Sequence, residues 1–282
     1  MQFLSSGKVK DIYDMNDGHL VFRFSDRVSA YDVEFVQDIP RKGEVLCKFA
    51  EYWFSKISCL NHFVERQSAT EIMVKQMDMI PLECVVRGYV YGSYMSRIKS
   101  GQIVLPKGAS NVMASKLPTL IFDPSTKAKH DAPITKEMAI SSGLVTKVEY
   151  DELEAKTLKV YEEMSEIVGK AGFILADLKL EFGKIDGEII LGDSIGPDEC
   201  RLWPIKSYCK GKVQESYDKQ ILRDWLAQNG YKEKFTKERA AGKNPIPPSI
   251  PDEIISKMSE KYVAVYEMIT GESMGSTLPS YE

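Results

Sequence analysis

Asp177, Lys179 and Glu181 stand at alternate positions in the segment FILADLKLEFGKIDGEIILGD, which runs from Phe173 to Asp193. In a strand that spacing gathers two carboxylates and an amine on one face within about 14 Å. Phe173 and Leu175 share that face, while Ile174, Ala176, Leu178, Leu180 and Phe182 make the other apolar throughout. Asp186-Gly187 then turns the chain, and EIILGD returns as a second strand ending in Asp193. A three-residue loop, Ile185 to Gly187 with Gly187 left-handed, would pair Lys184 with Glu188 and Lys179 with Asp193. Glu181 and Asp193 would then be diagonal neighbours roughly 5–8 Å apart, close enough to share a divalent cation. A two-residue loop would send Asp193 to the opposite face. The same charges also fit a solvated hairpin face, but the apolar setting favours pairing or metal binding, since buried charge persists only when it is compensated.

Other clusters carry complementary chemistry. Gly7 precedes Lys8 and Lys10, which share a face if extended; glycine permits close backbone approach and the ammonium groups supply charge for a polyphosphate. The chain contains neither GxxxxGK[ST] nor GxGxxG. Arg87 interrupts an apolar strand ahead of Gly88, Gly92 and Ser93, so it reads as an oxyanion fork or as the partner of a structural carboxylate. Arg201, beyond the Gly196-Pro197 turn, can reach the same place, and Lys75 either snorkels outward or faces a nucleotide. The loop from Pro124 to Asp131 packs two hydroxyls, Lys127, Lys129, His130 and Asp131 together, a mixture that fits a functional loop or an ordinary polar one.

These groups need rigid elements to hold them. HLVFRF (His19 to Phe24), EIMVKQM (Glu71 to Met77) and ECVVRGYV (Glu83 to Val90) predict strands. Lys48 to Leu60 predicts a helix that buries Phe49, Trp53 or Tyr52, Ile57 and Leu60. Asp151 to Gly172 predicts a long helix with Leu153, Thr157 or Leu158, Tyr161, Met164 and Val168 as its stripe, and Asp218 to Gly230 another. Ser249 with Asp252 resembles a capping box for a last helix carrying Ile254, Met258, Tyr262, Val265 and Ile269. Residues 101–135 have few regular periods and read as a long functional or disordered loop. The Met79-Ile80-Pro81 link is the expected boundary between two domains, 1–80 and 81–282.

A chain of 282 residues can bury one large core or two smaller ones. Its net charge of −4 disfavours a nucleic-acid or anionic-membrane surface. No run approaches the length of an apolar transmembrane helix, and MQFLSSGKVKD lacks a signal-peptide pattern, so a cytoplasmic location is expected. Cysteines at 47, 59, 84, 200 and 209 read as reduced thiols. Histidines at 19, 62 and 130 are too scattered for a zinc cluster.

The blocks GKVKDIY (7–13), FSDRVSAYD (24–32), PLECVVRGYVYGS (81–93), DPSTKAKHD (123–131), ADLKLEFG (176–183) and LGDSIGPDECRLW (191–203) together resemble the SAICAR synthetase family of purine biosynthesis. SYDKQILRDWL (216–226) is similar to its longer variants. The resemblance implies an α+β fold of two domains. The first binds ATP on an antiparallel sheet reminiscent of ATP-grasp and kinase architectures; the second, larger one holds magnesium and a ribonucleotide and carries C-terminal helices. It implies a ligase that uses ATP and Mg2+ to couple L-aspartate to the carboxylate of a carboxyaminoimidazole ribonucleotide. Its partners would be these small molecules alone, in a monomer or small homo-oligomer.

Residue by residue, the resemblance sets Lys8, Lys10 and Lys75 around the ATP phosphates and Met77 to Met79 against adenine. Glu181 and Asp193 would hold magnesium, with Asp177 and Lys179 beside them. Arg87, Ser93 and Arg201 would hold the ribonucleotide and its phosphate, and Ser29, Asp32, Lys127, His130 and Asp131 would line or close the substrate region. Lys10, Lys127, His130, Asp177 and Lys179 form the implied catalytic set. The chain departs from the family's usual pattern at Ser194, where a glutamate is common, and at Glu199-Cys200, where small residues are usual. A kinase-like phosphotransferase would use the same lysines and carboxylates but pass phosphate to a hydroxyl, and would not need aspartate. A nucleotide sensor would bind without turnover.

Overall fold

Short apolar-alternating runs broken by turns make the first 75 residues a sheet. β1 (Gln2–Ser6), β2 (Lys10–Asp14) and β3 (His19–Phe24) follow one another as hairpins. A small pair, β4 (Ser29–Ala30) with β5 (Val33–Glu34), precedes α1 (Lys42–Lys56). β6 (Phe63–Arg66) and β7 (Glu71–Lys75) complete an antiparallel sheet in the order β1-β2-β3-β7-β6. The computed structural model describes residues 1–31, 33–127, 132–217 and 219–275, so Asp32, His130 and Asp131 lie outside the described residues. α1 starts at Lys42 rather than Lys48. It buries Phe49 and Trp53, but Leu60, beyond the cap at Ile57, is exposed.

The second sheet begins with β8 (Asp78–Tyr89), followed by α2 (Gly92–Lys99), β9 (Lys116–Phe122), β10 (Ser125–Thr126) and α3 (Lys136–Ser141). After α4 (Lys147–Lys170) come β11 (Phe173–Ile185), β12 (Glu188–Gly192) and β13 (Cys200–Pro204), then α5 (Gln220–Gln228), α6 (Tyr231–Ala240) and α7 (Asp252–Thr270). β11 is central: β8 pairs along one edge, while β12 and β13 share the other. The change of sheet thus falls between Lys75 and Asp78, and the expected link at Met79–Pro81 is already ladder within β8. Residues 101–135 are not one loop, since β9 and β10 lie within them and pair with β8. One apolar cluster joins Phe22 and Phe24, Phe49 and Trp53, Leu178 and Phe182, and Tyr262 and Val265 across both sheets.

Local signals explain where the long helices start. Thr146 and Glu149 form a reciprocal capping box, so α4 begins at Lys147, and Thr157 is the stripe residue that is buried. The box expected at Ser249 and Asp252 does not form. Pro251 is the N-cap of α7, and the Ser249 hydroxyl accepts a hydrogen bond from Gln37 instead. Proline suits that place because its missing N–H has no helical acceptor there in any case.

Two departures from simple alternation set the site. Leu175 pairs with Leu202 but Asp177 with Arg201, so β11 carries a bulge at Ala176. Phe173 and Leu175 therefore join Leu178, Leu180 and Phe182 in the main core, while Ile174 and Ala176 pack around Trp203. The β11–β12 loop has two residues, not three: Ile185 pairs with Glu188, with Asp186 and Gly187 at φ 52° and 83°. Glu181 then faces Gly192, and plain alternation would throw Asp193 to the apolar side. Asp193 instead leaves the ladder with φ 58°, and that left-handed corner returns its carboxylate to the charged face.

The bulge has its own support. The Tyr161 hydroxyl on α4 donates to the Leu175 carbonyl at 2.5 Å, and Gly88 passes so close that a Cβ there would lie 2.0 Å from that hydroxyl oxygen. Gly88→Ala is expected to destabilise the chain by about 1–3 kcal/mol through overpacking. Combined with Tyr161→Phe it should cost less than the two single changes added together, as read from denaturant midpoints.

Candidate active site

Three strands bring their charges onto one face. The register sets Arg87 of β8 and Arg201 of β13 on either side of Asp177 of β11, and Glu83 opposite Glu181. Arg87 is fixed at all three guanidinium nitrogens: Nε to Asp123 at 3.0 Å, Nη1 to Asp177 at 3.1 Å and Nη2 to the Ser93 hydroxyl at 3.2 Å. Arg201 also pairs with Asp177, and its guanidinium lies against Gly92. A Cβ at position 92 would sit 3.1 Å from it, and the φ of 55° there also favours glycine. Arg87 is therefore the partner of two carboxylates, Asp123 and Asp177, on that face.

Next along β11, Lys179 bridges Glu83 at 3.2 Å and Glu181 at 3.1 Å. Lys127, at the end of β10, pairs with the other oxygen of Glu181, which is 5 % exposed. Burial works against the charge of Lys179, but Glu181, Asp193 and Glu83 outweigh it and hold its ammonium well above the ordinary lysine range. Asp193 shows the reverse. Burial opposes its charge, yet Lys10, Lys179 and Lys127 keep its carboxyl well below the usual carboxylate range.

Lys10 comes from β2 of the first sheet, pairs with Asp193 and donates to the Ser194 hydroxyl at 2.9 Å. Its ammonium also lies 4.7 Å from the Phe22 ring centroid. The corner at Asp193 is clamped from the same sheet. His62 N–H donates to the Leu191 carbonyl at 3.1 Å, and the His62 ring lies 2.9 Å from the Asp193 carbonyl, which only an imidazole N–H can serve. Burial pushes the imidazole down to about 4, so it stays neutral at ordinary pH.

The structure thus assembles Lys10, Lys127, Asp177, Lys179, Glu181 and Asp193 with Arg87, Ser93 and Arg201. Met77 lies beside them, its side chain over Gly183 and Gly192, and Met79 sits opposite Gly183, half exposed. Lys75 is exposed at the end of β7. Lys8 is exposed while Lys10 is buried, because a Gly7 N–H to Lys10 C=O bond of 2.8 Å curls the segment, so the two do not share an extended face. Ser29 is buried on β4 opposite Glu34. Sequence reasoning named Ser194 only as a departure from the family's pattern and missed Glu83, Asp123 and His62 as parts of the site. Strand alternation with Arg87 was a usable signal for Glu83; the others meet the site only through the tertiary fold. Glu181 and Asp193 are hard oxygen donors of the kind that hold a divalent cation together with substrate phosphates. Among the described residues, no group of three or more His, Cys, Asp or Glu is gathered for a metal.

Comparison with known proteins gives a consistent result. A family model described as SAICAR synthetase matches residues 3–238. The phosphoribosylaminoimidazole-succinocarboxamide synthase of Nitrosopumilus maritimus is 58% identical over 97% of this chain and 100% of its own length. The synthase of the same name from Candida maltosa is 36% identical over 95% and 94%. Among solved structures, the Saccharomyces cerevisiae SAICAR synthase complexed with SAICAR aligns with a TM-score of 0.83 at 32% identity, covering 97% of this chain and 96% of that one. A SAICAR synthetase in complex with ADP aligns at 0.72 with 28% identity, covering 96% and 99%. The chain belongs to the SAICAR synthetase family.

Proposed function

We infer that the chain is an ATP-dependent ligase that couples L-aspartate to the carboxylate of a carboxyaminoimidazole ribonucleotide, giving the succinocarboxamide, ADP and phosphate in purine biosynthesis. One observation carries this reading. On a single sheet face, two carboxylates neutralised by three lysines stand beside two arginines held on Asp177. The first group suits a nucleotide's phosphates and the second a separate oxyanion, as two phosphate-bearing substrates require. The family, and the SAICAR and ADP bound to its solved relatives, support the choice of substrates.

A carboxylate does not form an amide unaided, so the γ-phosphoryl group of ATP first makes an acyl phosphate. Lys10, Lys127 and Lys179 neutralise the transferring oxygens, and their present carboxylate partners already fix their positions. The aspartate amine then attacks the acyl carbon; the C–N bond forms as the C–O bond to phosphate breaks. Glu181 and Asp193 would hold Mg2+, which when bound supplies further charge neutralisation at the phosphates. We assign ATP to residues 1–80, with Lys8, Lys75, Met77 and Met79 toward the nucleotide, and the ribonucleotide to residues 81–282. The reach of Lys10 to Asp193 and the seat of Met77 over Gly183 and Gly192 support a nucleotide held where these two parts meet. All five cysteines are free, which fits the cytoplasm, and no described helix is long and apolar enough to cross a membrane.

ADP release with ATP, magnesium and the carboxylated ribonucleotide, measured with and without aspartate, tests the reaction. The expected result is release that depends on aspartate and yields the amide; a phosphorylated product without aspartate would identify a phosphotransferase. Glu181→Gln or Asp193→Asn should lower kcat/KM by at least a hundredfold, about 3 kcal/mol of transition-state stabilisation. Arg201→Lys keeps the charge but loses the fork. It should raise KM for the ribonucleotide about tenfold while KM for ATP stays within about twofold; equal rises would put Arg201 in the nucleotide subsite.

A further inference from the structure

The corner between β8 and α2 touches both arginines of the site with consecutive residues. Ser93 accepts a hydrogen bond from Arg87 Nη2, and Gly92, lacking a Cβ, lets the Arg201 guanidinium lie against its backbone. Tyr91 completes the corner. It is the extended N-cap of α2, is 8 % exposed, and has Arg201 Cζ over its ring, 5.8 Å from the centroid.

That ring is braced from two further sides. Arg201 and Trp203 alternate on β13 and so share a face, and the Trp203 ring meets that of Tyr91 edge to face at 4.9 Å. The Tyr91 hydroxyl accepts from the Gln214 N–H at 3.4 Å. Gln214 is itself buried, and its side chain closes the loop before it. Its Oε1 accepts from Cys209 N–H at 3.0 Å, and its Nε2 donates to the Cys209 and Lys212 carbonyls at 2.7 and 2.6 Å. The plane of the ring is therefore set by groups other than the guanidinium that lies over it.

We propose that Tyr91 is a positioning residue for Arg201, holding the guanidinium over its π face so that the fork is presented in one orientation. The proposal rests on the ligase reading above, which gives Arg201 to the ribonucleotide. Asp177 supplies Arg201 with an ion pair, but the same Oδ2 also serves Arg87. A single shared oxygen fixes how far a guanidinium sits and leaves its plane free to swing. A ring fixes the plane, because a flat cation stacks on it as a compact ammonium does not. It also leaves the charge in being. A second carboxylate in the place of Tyr91 would compete with an oxyanion for the same fork. The quadrupole of a ring attracts the cation without neutralising it.

The test changes the electrostatics of the ring while keeping its size. Steady-state ligation by the full chain is measured with the ribonucleotide varied at saturating ATP and aspartate. The variants are Tyr91→Phe and chains carrying mono-, di- and pentafluorinated phenylalanine at the same position. Fluorine drains negative charge from the ring face stepwise with little change of shape. KM for the ribonucleotide should stay within about twofold in Tyr91→Phe and climb with each fluorination, to about fivefold or more in the pentafluoro form. KM for ATP, measured separately, should stay within about twofold throughout, which certifies a folded site. In an Arg201→Gln background the cation over the ring is gone, and ribonucleotide affinity by calorimetry should be flat across the series. A flat series in the chain that keeps Arg201 would overturn the proposal, as would an equal climb without it. So would a loss already complete in Tyr91→Phe, which would assign the effect to the hydroxyl bond with Gln214. Those outcomes leave the ligase intact; absence of aspartate ligation by the unaltered chain would overturn both.

Discussion

Charge on the middle strand of a sheet must be answered by the neighbouring strands, because water is not there to do it. β11 imposes that constraint on this protein. Its Asp177 is answered by an arginine from each flanking strand, and Glu181 by Lys179 on its own strand and Lys127 from β10. Each answer demands a register, and the registers fix where β8, β10 and β13 lie. A shift of one residue in any of them would leave an uncompensated buried charge, which costs several kcal/mol. The charged face thus specifies the sheet's alignment as strongly as the apolar face does, and the groups proposed to act on substrate are the same ones that enforce it.

The second determinant is the corner at Asp193. A two-residue turn gives β12 the wrong parity for a shared site, and a left-handed residue corrects it. Aspartate tolerates that conformation better than most side chains. The correction is held by contacts to the first sheet: the backbone of His62, its neutral ring, and the Lys10 ammonium. A neutral imidazole suits this place, since a charged ring would compete with Lys10 for the same aspartate.

Much of this was legible in the chain. The alternation of Asp177, Lys179 and Glu181 located the charged face, and the apolar stripe of α4 was read at Leu153, Tyr161, Met164 and Val168, though Tyr150 and Val160 are buried as well. What could not be read was parity. The bulge at Ala176 moves Phe173 and Leu175 to the core, and no residue type announces it, because its cause lies in the register of β13 and in the Tyr161 hydroxyl far along the sequence. The turn failed for a related reason: Asp186-Gly187 serves two- and three-residue loops alike. The shared face of Glu181 and Asp193 was therefore expected for the wrong reason, and it exists because a second irregularity offsets the first. Glu83, one alternation step from Val85 and two from Arg87, could have been found by the rule that located its neighbours.

Lys10 and Asp193 touch across 183 positions of sequence. During synthesis at about 5–20 residues per second, the lysine emerges roughly 10–40 s before the aspartate that orients it. A nascent chain therefore carries Lys10 without Asp193 for most of its growth. Until Asp193 emerges, that carboxylate is not there to hold the Lys10 ammonium in place. The long-range ion pair makes synthesis through Asp193 a condition for fixing Lys10 in place.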